Sequence, residues 1–182
     1  MITLEDVKKN EEVEAFVRAS QKQLEALGYT EHSYRHIGIV SKRTEEILRK
    51  LGYDERTIEL GKIAGYLHDI GKLFIPSSVL QKPGALTKEE YKIMKNHTTL
   101  GYKLCIKDAK LRPYYAGAYY HHEALDGTGY PQGLVKKDIP YEAQIIRVAD
   151  EYDALVNKRQ YKSHIGITDT LKIIIANTAP SP

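Results

Sequence analysis

Tryptophan is absent from this 182-residue chain, phenylalanine occurs twice, and cysteine once, at Cys105. A lone cysteine excludes an intrachain disulfide, and without a CxxC pair there is neither a thiolate zinc site nor a dithiol redox motif. A reducing, cytoplasmic compartment is therefore expected. No apolar run approaches the roughly 20 residues that span a bilayer, and Met1–Asn10 carries charge where a secretory leader needs an apolar stretch. No membrane partner is expected. A strong charge of one sign is missing too: 27 Lys and Arg stand against 24 Asp and Glu, a net +3. Spread along the chain, that excess argues against a DNA or RNA duplex as partner and leaves a small anionic ligand open. With 42% hydrophobic and 28% charged residues the chain has the balance of a folded domain, and its length suits one core. Its aromatic surface comes almost entirely from 14 tyrosines, whose rings pack while their hydroxyls reach water or a polar ligand.

Strand alternation of useful length is also lacking, whereas apolar spacings of three, four and seven recur, which predicts an all-α fold. Leu4, Val7, Val13, Phe16, Val17, Leu24 and Leu27 mark one N-terminal helix, capped by Thr3 and stopped by Gly28. Residues 1–29 are read as this helix packed on a bundle formed by residues 30–182, in a single structural domain. Its apolar stripe needs a cover, either its own bundle or a second copy in a homodimer. Thr30 opens the next helix, striped by Ile37, Val40, Thr44, Ile47, Leu48 and Leu51 and closed by Gly52. Asp54 caps a third through Ile58, Leu60, Ile63, Ala64 and Leu67, ending at Gly71. Pro76, Ser77, Ser78, Pro83 and Gly84 break the periodicity between residues 73 and 86. Thr87 with Glu90 then signals a capping box for a helix to about Cys105. Pro113 suits the first turn of a helix running towards His122. Pro140 can start another through Leu155, and Thr168 a last one to about Asn177, before a fraying tail at Ala179–Pro182.

Five histidines, His36, His68, His97, His121 and His122, fall on or at the ends of these helices beside carboxylates or glycines. His68-Asp69 projects an imidazole and a carboxylate from consecutive residues, and the two carboxylate oxygens can bridge two cations. Asp150 and Asp153, three apart, share a helix face. Imidazole and carboxylate without thiolate suit Mn, Fe, Ni or Zn, whereas a pure Mg site prefers oxygen. Singly, each element has an ordinary explanation. A histidine on an apolar face is usually just packed, and His97 follows Met94 by three. His121-His122 can close a helix dipole, Asp150 can pair with Arg147, and Asp126-Gly127 and Gly129-Tyr130-Pro131 are common turn chemistry. Their joint occurrence is what those explanations leave over.

His36, His68-Asp69-Ile70-Gly71-Lys72 and Asp150 resemble the H…HD…D pattern of the HD-domain metal-dependent phosphohydrolases. Leu80-Gln81-Lys82-Pro83-Gly84, His97-Thr98-Thr99-Leu100-Gly101, His121-His122-Glu123, Asp126-Gly127-Thr128-Gly129-Tyr130-Pro131, Ile139-Pro140 and the run from Arg147 to Leu155 are similar, in order and spacing, to the HD-GYP subgroup. The likeness extends over about residues 30–162. It implies a bundle of helices around a buried centre of two or three divalent cations, Fe or Mn favoured, Zn or Ni allowed. It also implies a phosphodiesterase that converts cyclic di-GMP to the linear dinucleotide or GMP through a metal-bridging hydroxide. By the same resemblance His36, His68, Asp69 and Asp150 would hold one metal. Asp69, His97, His121 and His122 would hold the second, with Asp69 as the bridge. Asp69 and Lys72 would be catalytic, Lys72 lying against the substrate phosphate. Arg159, in Lys158-Arg159-Gln160-Tyr161, would contact phosphate or guanine, and Tyr130 would offer a stacking surface. Asp153 is a further candidate ligand.

Two departures stand out. Three-metal members often carry a glutamate four residues before the first histidine, and this chain has His32 there. His32 shares a helix face with His36 and is either a third-metal ligand or a solvent-exposed residue. A second register aligns His32-Ser33-Tyr34-Arg35 with the H-S-x-R form of many HD proteins, but the interval from His36 to Leu51 favours His36. The chain also stops soon after residue 177, where the family usually has more helix, which puts the last helix in question. The alternatives are an HD phosphohydrolase for another nucleotide, since Thr30–Leu67 looks as much like members without GYP features, and a non-catalytic cyclic-dinucleotide-binding module. An iron oxygenase on the same scaffold would leave the GYP residues without a role. No sensor or receiver segment is recognisable, so any regulatory input falls to a partner chain.

Overall fold

The computed structural model describes residues 2–25, 32–156 and 167–178. Their regular structure is helical, with an isolated bridge between Asp126 and Val135 the one piece of β pairing among them. The N-terminal stripe forms two helices rather than one, α1 (Leu4–Lys8) and α2 (Glu11–Glu25). Thr3 caps α1 in a capping box with Asp6. Asn10 then accepts the N–H groups of Glu12 and Val13 on its side chain. A second cap in the middle of the stripe ends one helix and begins the next. Val7, Val13 and Phe16 are buried in the same core as Ile37, Val40, Ile63 and Leu67, so these stripe positions are covered by the chain's own bundle. Leu27 and Gly28 lie outside the described residues.

Helices α3 (His32–Lys50) and α4 (Glu55–Leu67) pack on each other across a short turn in which Gly52 takes φ +80°. Asp54 caps α4 by accepting from the Arg56 and Thr57 N–H groups. Helix α4 also packs on α7 (Tyr115–Tyr120) and α8 (Tyr141–Val156). Five successive residues, Ile63 to Leu67, are buried in it, which marks α4 as the inner helix of the bundle. It ends at Leu67, short of Gly71, and Ile70–Phe74 continue as a 3-10 turn. The buried pair His68-Asp69 thus emerges from the end of the innermost helix.

The breaker-rich stretch after residue 73 still admits a short helix, α5 (Ser77–Leu80). The expected capping box opens α6 (Lys88–Lys107). Pro113 sits in a 3-10 turn, Arg112–Tyr114, that leads into α7. The last expected helix, α9 (Ile167–Thr178), forms and packs on α8, burying Thr170 and Ile174. No helix of the described residues is long and apolar enough to cross a membrane.

Candidate metal centre

Asp69 sits where four helix segments converge. Its Oδ2 faces His36 of α3 and its neighbour His68, at 3.8 and 3.3 Å from their Nε2 atoms. Its Oδ1 faces His97 of α6 and His121 at the end of α7, at 3.6 and 3.8 Å. Asp150 of α8 joins the first group, with Oδ1 3.1 Å from His36 Nε2 and 3.9 Å from His68 Nε2. His122 joins the second: the ligand atoms of His97, His121 and His122 all lie within 4.8 Å of one another, as do those of His36, His68 and Asp69. The close approach depends on Gly71, where a Cβ would lie 1.8 Å from the His97 carbonyl oxygen and 2.5 Å from the Gly101 nitrogen. Only a glycine lets the 3-10 turn press Asp69 against α6.

The imidazoles are aimed by their outer nitrogens. Nδ1 of His68, His97 and His121 donates to the carbonyls of Gly65, Met94 and Gly117 at 2.7, 2.7 and 2.8 Å. A carbonyl acceptor requires the proton on Nδ1, which leaves each Nε2 with a lone pair turned inward. His36 is aimed by Asp153, whose Oδ2 lies 2.6 Å from Nδ1. Asp153 therefore stands behind His36 and not in the inward-facing ring of donors, a different place from that of a direct ligand.

Electrostatics sort the donors. Burial pushes His97 down to about 4 and His122 to about 3, and drives His121 well below the usual imidazole range, so these three are neutral at pH 7. Burial acts on His36 in the same direction, but its bonds to Asp150 and Asp153 and the charge of Asp69 outweigh it and raise His36 to about 9. For Asp69, burial favours the protonated acid. The nearby Lys72 ammonium opposes it most strongly, and the carboxylate is held well below its usual range. Lys72 Nζ lies 2.5 Å from Asp69 Oδ2.

This donor set fits divalent cations. Asp69 Oδ1 and His68 Nε2 are each buried without a hydrogen-bond partner, a costly state for polar atoms at the centre of a fold. Nε2 of His97 and Nε2 of His121 are 3.2 Å apart, lone pair towards lone pair. Nitrogen-rich donors with shared carboxylate oxygen and no thiolate match first-row transition metals better than magnesium.

The wall beside His122 is a loop clamped by Glu123. This buried carboxylate accepts the N–H groups of Gln132 and Leu134 at 2.7 and 2.8 Å. Tyr130 N–H donates to the His122 carbonyl, and a Cβ at Gly129 would lie 2.2 Å from the Ala124 nitrogen. The Tyr130 ring stacks on His122 with centroids 4.7 Å apart. Of the residues singled out by sequence, His36, His68, Asp69, Lys72, His97, His121, His122, Asp150 and Tyr130 are brought together here. The His32 side chain and Arg159 lie outside the described residues. The clamp on Glu123 and the positions of Tyr91 and Lys95 beside Tyr130 had no sequence signal beyond helical spacing and the motif itself.

A family model described as HD domain matches residues 10–180. The cyclic di-GMP phosphodiesterase response regulator RpfG of Xanthomonas campestris pv. campestris is 45% identical over 119 residues, covering 64% of this chain and 31% of that protein. A protein named cyclic di-GMP phosphodiesterase from Thermotoga maritima is 41% identical over 133 residues, covering 72% of this chain and 36% of that protein. The chain spans about a third of the length of these two relatives. Among solved structures, Bd1817, an HDG"Y"P protein from Bdellovibrio bacteriovorus, matches with a TM-score of 0.68 over 97% of this chain and 64% of that one, at 24% identity, a likeness of fold.

Proposed function

The chain belongs to the HD domain family, and we propose that it is a metal-dependent phosphodiesterase that hydrolyses a cyclic dinucleotide, cyclic di-GMP foremost, to the linear dinucleotide or GMP. The observation that carries the reading is the position of Asp69: one buried carboxylate turns an oxygen to each of two histidine clusters. His36, His68, Asp69 and Asp150 would hold one divalent cation, and Asp69, His97, His121 and His122 would hold the second. A pair of such cations supplies the positive charge and the lowered water pKa that phosphodiester hydrolysis needs. Fe(II) or Mn(II) suits the nitrogen-rich donors. Further support comes from two relatives above 40% identity named cyclic di-GMP phosphodiesterases.

The chain's own groups do the rest. Carbonyl acceptors keep the Nδ1 protons of His68, His97 and His121 away from the reacting side. Lys72, one-third exposed beside Asp69, exchanges that carboxylate for a phosphoryl oxygen of the substrate and neutralises its charge. The loop held by Glu123 walls the pocket next to His122. The proposed setting is the cytoplasm.

The test is chromatography of products after protein loaded anaerobically with Fe(II) or Mn(II) meets cyclic di-GMP. Linear dinucleotide or GMP is expected, and Asp69→Asn is expected to bind less metal and to lose on the order of a thousand-fold in rate. Full activity in Asp69→Asn would overturn the assignment. Tight nucleotide binding without product would favour a binding module, and turnover of other phosphate esters alone would favour a different nucleotide substrate.

A further inference from the structure

The tyrosine of the Gly-Tyr-Pro turn has little ring left for a ligand. Tyr130 is half-buried, stacked on His122 at 22° between planes, with the Lys95 ammonium 5.6 Å from its centroid. A second tyrosine continues outward from it. Tyr91 on α6 meets Tyr130 edge to face at 6.5 Å and is 48% exposed. Lys95, one helical turn along from Tyr91, lies 5.2 Å from the centroid of the Tyr91 ring, so its ammonium is shared between two aromatic faces. Among the described residues no carboxylate pairs with it, and neighbouring Glu90 is engaged by Lys82 at 2.6 Å. An exposed aromatic face and an uncompensated cation thus stand together at the edge of the metal centre, on the side of His97 and His122.

We propose that Tyr91 and Lys95 form a nucleobase subsite at the mouth of the centre, in which Tyr91 stacks a purine and Lys95 donates to the acceptor edge of guanine. Any base presents a π face to an aromatic platform. Guanine adds two adjacent acceptors, O6 and N7, that an ammonium reads, whereas adenine sets an amino donor in place of O6. Tyr91 therefore supplies affinity for either purine and Lys95 supplies the choice between them. The subsite rests on the phosphodiesterase reading for its substrate, and its position makes it a determinant of specificity rather than of the chemical step.

The experiment compares metal-loaded wild type, Tyr91→Ala, Tyr91→Phe and Lys95→Met on cyclic di-GMP and cyclic di-AMP, and measures GMP and AMP binding to the same proteins by titration calorimetry. Tyr91→Ala is expected to raise KM for both dinucleotides roughly ten-fold, with the effect on KM rather than kcat, and Tyr91→Phe to restore it. Lys95→Met is expected to cut the preference for guanine over adenine roughly ten-fold. If KM, preference and mononucleotide binding in Tyr91→Ala and Lys95→Met match wild type, the subsite is overturned while the phosphodiesterase stands. If wild type hydrolyses neither dinucleotide, the functional reading fails, and the subsite is then decided by the calorimetry: GMP binding unchanged by either variant overturns it, and weakened binding restored by Tyr91→Phe upholds it.

Discussion

His36 lies between two carboxylates that do different things to it. Asp150 meets its inward Nε2 at 3.1 Å, and Asp153, one turn further along the same helix, holds its outward Nδ1 at 2.6 Å. One face of α8 thus provides both a donor and the group that aims a donor.

Asp153→Asn separates these roles. The amide oxygen still accepts from Nδ1, but the charge that strengthens the imidazole as a ligand is gone. Cation affinity is expected to fall about 10- to 100-fold with the fold intact. Competition against a metal-sensitive chelator reads this directly, and an unchanged affinity would show that Asp153 does not act through His36.

Cation loading is expected to depend on pH through the same histidine. His36 titrates at about 9 in the metal-free protein, so at pH 7 its proton must leave before Nε2 can bind a cation. Below that value this group alone lowers cation affinity about ten-fold per pH unit of acidification. Calorimetry in buffers of different ionisation enthalpy should detect about one proton released per chain at pH 7. Heat independent of the buffer would contradict it.

Stability of the metal-free protein is expected to respond to acid with a definite sign. The folded values of His97 and His122, about 4 and about 3, lie below the 6.5 of an unfolded imidazole. Between those values the unfolded chain binds more protons, so stability falls as pH drops below 6.5. His36 works the other way. Its raised value stabilises the fold below 6.5, and that contribution is lost as pH rises towards 9. Urea midpoints between pH 7 and 5 should fall in wild type and fall less in His97→Gln. Parallel curves would remove His97 as a cause.

Glu123→Gln replaces an acceptor of two backbone N–H groups with a side chain that can serve only one of them with oxygen. A loss of about 1–3 kcal/mol is expected. Because the loop wall rests on His122, KM should also rise. A stability change without a change in KM would confine Glu123 to the fold.

Much of this architecture is written in short-range signals, and the exceptions share a cause. Asp54 and the Thr87–Glu90 pair announce their helices because a cap acts within one turn. Asn10 carried the same kind of signal, but an apolar stripe that continued past it masked the break. The early end of α4 has no local mark, because it answers to the contact of Gly71 with His97 and Gly101, residues far along the chain. The motif named residues that converge. It did not tell that Asp153 would stand behind His36, since a spacing of three fixes a face and not a distance. Glu123 was visible as part of the motif, yet its partners are backbone N–H groups of Gln132 and Leu134, which any residue there would offer.

His121, His122 and Glu123 are consecutive, so two inward-facing imidazoles and the clamp of the pocket wall belong to one uninterrupted stretch of backbone. No residue lies between them to absorb movement. Thermodynamic reciprocity follows: a ligand that tightens the wall tightens cation binding by the same factor, and a cation that settles the histidines stiffens the wall. Substrate occupancy and metal retention are then one linked equilibrium, and the protein should hold its cations most firmly while it is at work.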